Sequence, residues 1–146
     1  MRRSKAIEKC TCACSCLRRA ARAVTRLYDE AFRPMGYRAT QVGILSTLAV
    51  LGPVTLSELA DETVTDRTTL TRNLRLLEKK GLVCLECGAD RRERRVCMTK
   101  KGSQLLQAAQ PRWAQAQRKM IRRMGRKRFE RLVADLSAVV AAARGG

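Results

Sequence analysis

The stretch Val64-Thr65-Asp66-Arg67-Thr68-Thr69-Leu70-Thr71-Arg72-Asn73-Leu74-Arg75-Leu76-Leu77-Glu78-Lys79-Lys80-Gly81 decides how the rest of the chain is read. Leu70, Leu74 and Leu77 recur at i, i+4 and i+7, so they line one face of a helix. Thr65 or Asp66 can supply the N-cap oxygen, and Gly81 suits the position just past the C-terminus. The opposite face carries Arg67, Thr68, Thr71, Arg72 and Arg75, with Asn73 beside it. Arginine reaches phosphates or guanine, asparagine can pair with adenine, and threonine offers a hydroxyl and a methyl, so this face suits a DNA groove. Taken alone, the pattern fits an ordinary solvated basic helix equally well, and the flanks decide between the two.

Upstream, Leu17, Ala20, Ala21, Val24, Leu27, Tyr28 and Ala31 form a broad apolar stripe, which predicts a helix over 17–33 stopped by Pro34 and Gly36. Thr40 opens a second helix that ends at Gly52-Pro53. A short third helix spans Ser57 to Glu62, with Leu56, Leu59 and Ala60 facing inward. A tight turn through Thr63 and Val64 then leads into the basic helix, which makes a helix-turn-helix pattern. Downstream the period shortens. Leu82–Cys87 and Arg94–Met98 are rich in strand formers and flank the polar segment Gly88–Glu93, a β-hairpin whose tip carries Arg91 and Arg92. Two arginines at the tip, with Arg94 and Arg95 behind them, favour phosphate or minor-groove contact over a plain solvated hairpin. Thr99 caps a further helix in which Pro111 predicts a kink or break near Gln110. A last helix covers about Lys127 to Ala143.

The bulk composition agrees with this pattern. The chain has 146 residues, enough for one domain with extensions, and 45% hydrophobic but only 3% aromatic residues, which suits packed helices. The formal net charge of +18 calls for a polyanion, with nucleic acid ahead of an anionic membrane surface. No apolar run reaches the roughly 20 residues needed to span a bilayer. No apolar h-region follows the basic N-terminus, so a cytoplasmic location and no membrane partner are expected. The chain has no His, no Gly-rich phosphate loop and no evident carboxylate pair, which disfavours an enzyme.

At this point the chain resembles the MarR family of bacterial winged-helix regulators, over nearly everything from Leu17 to Ala143. The most specific part is Asp90-Arg91-Arg92-Glu93-Arg94-Arg95-Val96-Cys97-Met98-Thr99-Lys100-Lys101-Gly102, which follows the family's Asp-x-Arg, five residues, Leu-Thr pattern with Met98 in place of Leu. Leu56-Ser57-Glu58-Leu59-Ala60 and Gly81-Leu82-Val83 are similar as well. The resemblance implies a fold that is mainly α with a small β-hairpin wing: a winged helix-turn-helix plus a helical dimerisation domain. The expected domains are 1–38, the Cys-rich segment and first dimerisation helix; 39–99, the DNA-binding domain; and 100–146, the C-terminal dimerisation helices. It also implies an obligate homodimer. The apolar faces of the first and last helices support that independently, because a winged unit of about 70 residues cannot bury them alone. The implied partner is double-stranded DNA at a roughly palindromic operator, read by a repressor. The candidate contacts are Thr65, Arg67, Thr68, Thr69, Thr71, Arg72, Asn73 and Arg75 on the helix. On the wing, Asp90 would brace Arg91 or Arg92 for the minor groove.

Seven cysteines set this chain apart. An odd count without a secretion signal argues against a structural disulfide framework. Cys10, Cys12, Cys14 and Cys16 alternate at a spacing of two. In a helix they form two i,i+4 pairs on different sides, and in an extended segment all four share one edge. They are candidates for thiol redox sensing or for holding a thiolate-bound metal or iron–sulfur centre, against the alternative that they act as small hydrophobes. Cys84 and Cys97 are expected opposite each other across the hairpin with Cys87 near the turn, either as small strand residues or as a metal or disulfide site. The effector is thus an oxidant, a metal or a small molecule. Two other readings stay open: a regulator of small aromatic ligands with incidental cysteines, and a non-specific basic nucleic-acid-binding protein.

Overall fold

In the computed structural model, residues 11–88, 90 and 92–145 are described, with Cys87 described by its backbone alone. The chain runs α1 (Ala13–Phe32), a 3-10 turn (Arg33–Met35), α2 (Ala39–Leu51), β1 (Val54–Thr55), α3 (Leu56–Glu62), α4 (Arg67–Lys79), β2 (Val83–Cys87), β3 (Arg94–Met98), α5 (Lys100–Met124) and α6 (Arg126–Ala143). The architecture is mainly α with a small wing, as the pattern predicts.

Local chemistry sets most boundaries. At the start of α2, Gln41 Oε1 accepts the Arg38 N–H at 3.0 Å, and Asp29 on α1 accepts the Ala39 N–H at 2.7 Å. Thr55 caps α3 by accepting from Glu58 N–H, and Glu58 returns a bond to Thr55 N–H at 2.8 Å, a reciprocal capping box. Both α3 and α4 end in paired 6→1 and 5→2 bonds. For α4 these are Leu82 N–H to Leu77 O and Gly81 N–H to Glu78 O, with Gly81 at φ +71°. For α3 they are Thr65 N–H to Ala60 O and Val64 N–H to Asp61 O, and the left-handed position is filled by Val64 at φ +50°. A β-branched residue there is strained.

The sheet has the order β1-β3-β2, all antiparallel. The sequence pattern predicts the β2–β3 hairpin but not β1, whose two residues pair as Val54 with Val96 and Thr55 with Arg95. One core joins Leu45, Leu48, Leu59, Leu70, Leu74 and Leu77 to Leu82, Val83 and Val96, so α2, α3, α4 and the sheet pack as a unit. A smaller cluster, Phe32, Val42 and Ala109, fastens α1 and α5 to α2.

Helix α5 runs unbroken through Pro111, so of the kink or break expected near Gln110 the break does not occur. Proline removes one helical bond, to the carbonyl of Gln107. Both residues are exposed, so water can take that acceptor while the flanking turns hold.

Candidate nucleic-acid interface

Asp66 is the N-cap of α4 and accepts from Thr69 N–H at 2.8 Å. Leu70, Leu74 and Leu77 are buried, which fixes the rotation of the helix. That rotation turns Arg67, Thr68, Thr71, Arg72 and Arg75 onto one outward surface, bordering an open groove of ≈ 720 Å³ with Leu56 and Leu76. Arg67, Thr68, Arg72 and Arg75 are exposed, and the Arg67 guanidinium donates to Ser57 Oγ on α3. The remaining candidates separate from this group. Thr65, Thr69 and Asn73 lie on the flank towards α2, beside Thr40, Gly43 and Thr47. The Thr65 hydroxyl donates to Thr63 O at 3.1 Å and so helps shape the turn.

At the wing, Glu93 N–H bonds Asp90 O at 2.9 Å and closes a turn, and Gly88 N–H bonds Glu93 O at 2.7 Å below it. Asp90 Oδ1 accepts from Arg92 N–H at 3.0 Å. The brace is therefore to the backbone of Arg92, whose side chain is exposed at the tip. Arg91 lies outside the described residues. Behind the tip, Arg95 pairs with Glu93 at 3.6 Å. Glu58 and Asp66 are held below the ordinary carboxyl range. Hydrogen bonds with Thr55 do this for Glu58 and hydrogen bonds with Thr69 for Asp66.

Sequence comparison identifies the relatives of this surface. The MarR family model matches residues 35–93. The uncharacterized HTH-type transcriptional regulator YwoH of Bacillus subtilis is 31% identical over 85 residues, covering 58% of this chain and 62% of YwoH. The chain thus matches less than two thirds of that relative's length. Among solved structures, the M. tuberculosis transcriptional regulator MosR in complex with DNA is 40% identical at a TM-score of 0.77, over 91% of this chain and 98% of MosR. A second M. tuberculosis MosR structure superposes at a TM-score of 0.81, with 36% identity over 93% and 98% of the two chains.

The chain belongs to the MarR family. It is a winged helix-turn-helix, DNA-binding transcriptional regulator. Helix α1 begins at Ala13, with Cys12 as its N-cap and Cys14 and Cys16 inside it. Cys16 N–H bonds Cys12 O at 3.0 Å, so these two follow each other up one side, while Cys14 points about 160° away. The extended, one-edge arrangement is excluded for Cys14 and Cys16. Cys12 and Cys14 are exposed and Cys16 is half-buried. Cys10 lies outside the described residues.

Two features of this MarR-family chain escape a reading of its sequence. Ser57 anchors Arg67, which no spacing rule announces. Glu86 joins Cys84 and Cys97 on one side of the wing, and its i+2 offset from Cys84 is the signal that could have found it.

Proposed function

We propose that the protein acts as a homodimeric repressor on a pseudo-palindromic operator. Each protomer lays α4 in a major groove and sets its wing against the flanking minor groove, with residues 39–99 as the DNA-binding unit. The observation that carries this is the single outward face of Arg67, Thr68, Thr71, Arg72 and Arg75 beside an exposed Arg92, on a chain of net charge +18. MosR, at 40% identity, was solved with DNA, which supports double-stranded DNA as the partner. Arg67, Arg72, Arg75 and Arg92 are the contacts with the greatest reach. Thr68 and Thr71 read at shorter range, and Thr65, Thr69 and Asn73 meet the flanking backbone. The homodimer is supported by apolar side chains left open on one chain. No described residue of α6 is buried, and Val133, Leu136, Val139 and Val140 are each 40–48% exposed. Burying such a face in a second copy is the ordinary solution.

The test is operator selection from genomic fragments followed by titration of Arg72→Ala and Arg92→Ala. Each is expected to weaken binding by about 1–3 kcal/mol while the fold and dimer persist. Unchanged affinity in both variants would overturn the docking, and a monomer at micromolar concentration would overturn the assembly.

For the switch, Cys12 and Cys16 on one side of α1 support a response to an oxidant or a thiophilic metal, with Cys10 and Cys14 as further ligands or resolving thiols. An iron–sulfur centre is one such group. Cys12→Ser combined with Cys16→Ser is expected to abolish the response of operator binding to oxidant and metal. A specific observation also favours small-ligand control. A cavity of ≈ 490 Å³ at the junction of α1, α2 and α5 is lined by Tyr28, Phe32 and Trp113, within the size range of small-molecule sites. Trp113 is the sole tryptophan, so its fluorescence reports aromatic ligands directly.

A further inference from the structure

We propose that Cys84, Glu86 and Cys97 form a binding site for a Zn²⁺-like divalent cation on the wing, separate from the DNA-contacting surface and from the N-terminal thiols. The hairpin register sets Cys84 directly opposite Cys97, and Glu86 follows Cys84 by two residues, so all three side chains leave the same face of the sheet. Their ligand atoms lie within 4.8 Å of one another. Cys84 Sγ is 3.9 Å from Glu86 Oε1 and 3.7 Å from the Cys97 carbonyl oxygen. Zn–S bonds of about 2.3 Å place neighbouring ligands of a tetrahedron roughly 3.5–3.8 Å apart. Small side-chain rotations therefore suffice, with no movement of the strands.

The surroundings favour a cation over idle thiols. Cys97 is 7% exposed, Cys84 is half-buried and Glu86 is exposed, a graded site that opens outward. Water can complete the fourth position. Arg95 sits opposite Glu86 in the register yet pairs with Glu93, which leaves the Glu86 carboxylate turned to the sulfurs. Burial, with Glu86 and Cys84 adding to it, pushes the Cys97 thiol up to about 11. The Cys97 thiol therefore enters the reaction protonated. The cation takes two thiolates and the carboxylate, each thiol releases one proton to solvent, and no electron is transferred. The bound ion cross-links β2 to β3 behind the tip that carries Arg92.

The test uses the full chain with Cys10, Cys12, Cys14, Cys16 and Cys87 replaced by Ser, so that competing thiols are silent. Zn²⁺ alone is the probe, counted by equilibrium dialysis without DNA, which makes the result independent of the operator reading. The expected result is one Zn²⁺ per chain, about two protons released, and a thiolate charge-transfer band with Co²⁺. Cys84→Ser and Cys97→Ser are each expected to remove the band. Each should also weaken Zn²⁺ binding by more than the roughly 10–100-fold that loss of an outer-shell partner costs. Glu86→Gln is expected to keep the band and weaken binding by about 10-fold. If the five-fold variant does not fold, zinc is counted on the parent chain before and after Cys84→Ala, with one equivalent lost. Binding of less than one Zn²⁺, binding indifferent to Cys84 and Cys97, or a Cys84–Cys97 disulfide formed in the presence of zinc overturns the proposal.

Discussion

Replacing Gly102 by Ala should destabilise the protein, although glycine in a helix normally costs stability relative to alanine. Gly102 lies in the first turn of α5, and its N–H donates to Thr99 Oγ1 at 3.1 Å. On propensity alone, Ala would gain about 1 kcal/mol. The packing reverses the sign. A Cβ at this position meets Leu82 O at 2.2 Å, Met98 Cγ at 2.9 Å and Leu82 C at 3.2 Å. The Met98 side chain can yield, but the Leu82 carbonyl cannot move alone, because it accepts Thr99 N–H at 3.0 Å. Helix and strand must separate by more than an ångström. Overpacking of this kind costs about 1–3 kcal/mol, and the loosened hydrogen bonds about 1 kcal/mol each. With two such bonds loosened, about 2–4 kcal/mol of destabilisation remains after the propensity gain. Gly43→Ala is the matched control. Gly43 is inside α2 with nothing within 4 Å of its added Cβ, so about 0.5–1 kcal/mol of stabilisation is expected. Equilibrium urea unfolding at one fixed protein concentration measures both, since the proposed dimer would make the midpoint depend on concentration. Gly102→Ala at or above parent stability would refute the close-approach argument, as would equal shifts in both variants.

Val64→Gly should raise the urea midpoint. The left-handed conformation costs an L-residue about 1–2 kcal/mol, glycine adds back about 0.5–1 kcal/mol of chain entropy, and the Val64 side chain, 61% exposed, has little packing to lose. No gain in stability would show that the turn carries no strain. Asp66 titrates below its ordinary range when folded, so its contribution is complete above about pH 4 and is lost as pH falls through the depressed value. Asp66→Asn keeps a capping acceptor and should flatten the acid limb of stability, measured as urea midpoints at pH 7 and pH 3. Operator affinity should fall steeply with salt. Arg72→Ala should lower the slope of log K against log salt by about 1 if Arg72 holds a phosphate, or relax specificity at one position if it reads a base. No effect on either quantity would remove Arg72 from the interface.

The readable parts of the sequence were those where one rule acted over several residues. Leu70, Leu74 and Leu77 recur with the helical period, and all three are buried. The turn-flanked runs 82–87 and 94–98 gave the hairpin and placed Cys84 opposite Cys97. What escaped depends on contacts between distant segments. Strand β1 is two residues long, too short for alternation to register, and exists because Val54 pairs with Val96. Val64 occupies a position where glycine is the usual signal, so the sequence pattern locates the turn but not its strain. Pro111 points to a kink or break because its local cost is visible in sequence, whereas the contacts that hold both halves of α5 in one helix are not. The outward face of α4 was legible as a group. The separate flank of Thr65, Thr69 and Asn73 depends on where α2 packs.

Helix α5 connects these observations. Near its start, the Thr99 hydroxyl donates to Gly81 O at 2.6 Å and Lys101 Nζ to Lys80 O at 2.8 Å, which ties the C-terminal end of α4 to it. The bare Gly102 brings it against Leu82 where β2 begins. Further along, Ala109 packs with Phe32 and Val42, and Gln117 accepts the Tyr28 hydroxyl of α1. Helix α4 and the wing are thus fastened to a rod that also carries the α1 contact. A recognition helix attached by one flexible linker could search for its half-site independently. Held at its C-terminal end and through the sheet, it cannot rotate without moving α5. In the proposed dimer the separation of the two α4 helices would therefore be set by how the α1, α5 and α6 faces meet. A change at Cys12, Cys16 or the Trp113 cavity would have to move α1 or α5 to alter DNA binding, and Gly102→Ala should then weaken operator affinity even under conditions where the variant remains fully folded.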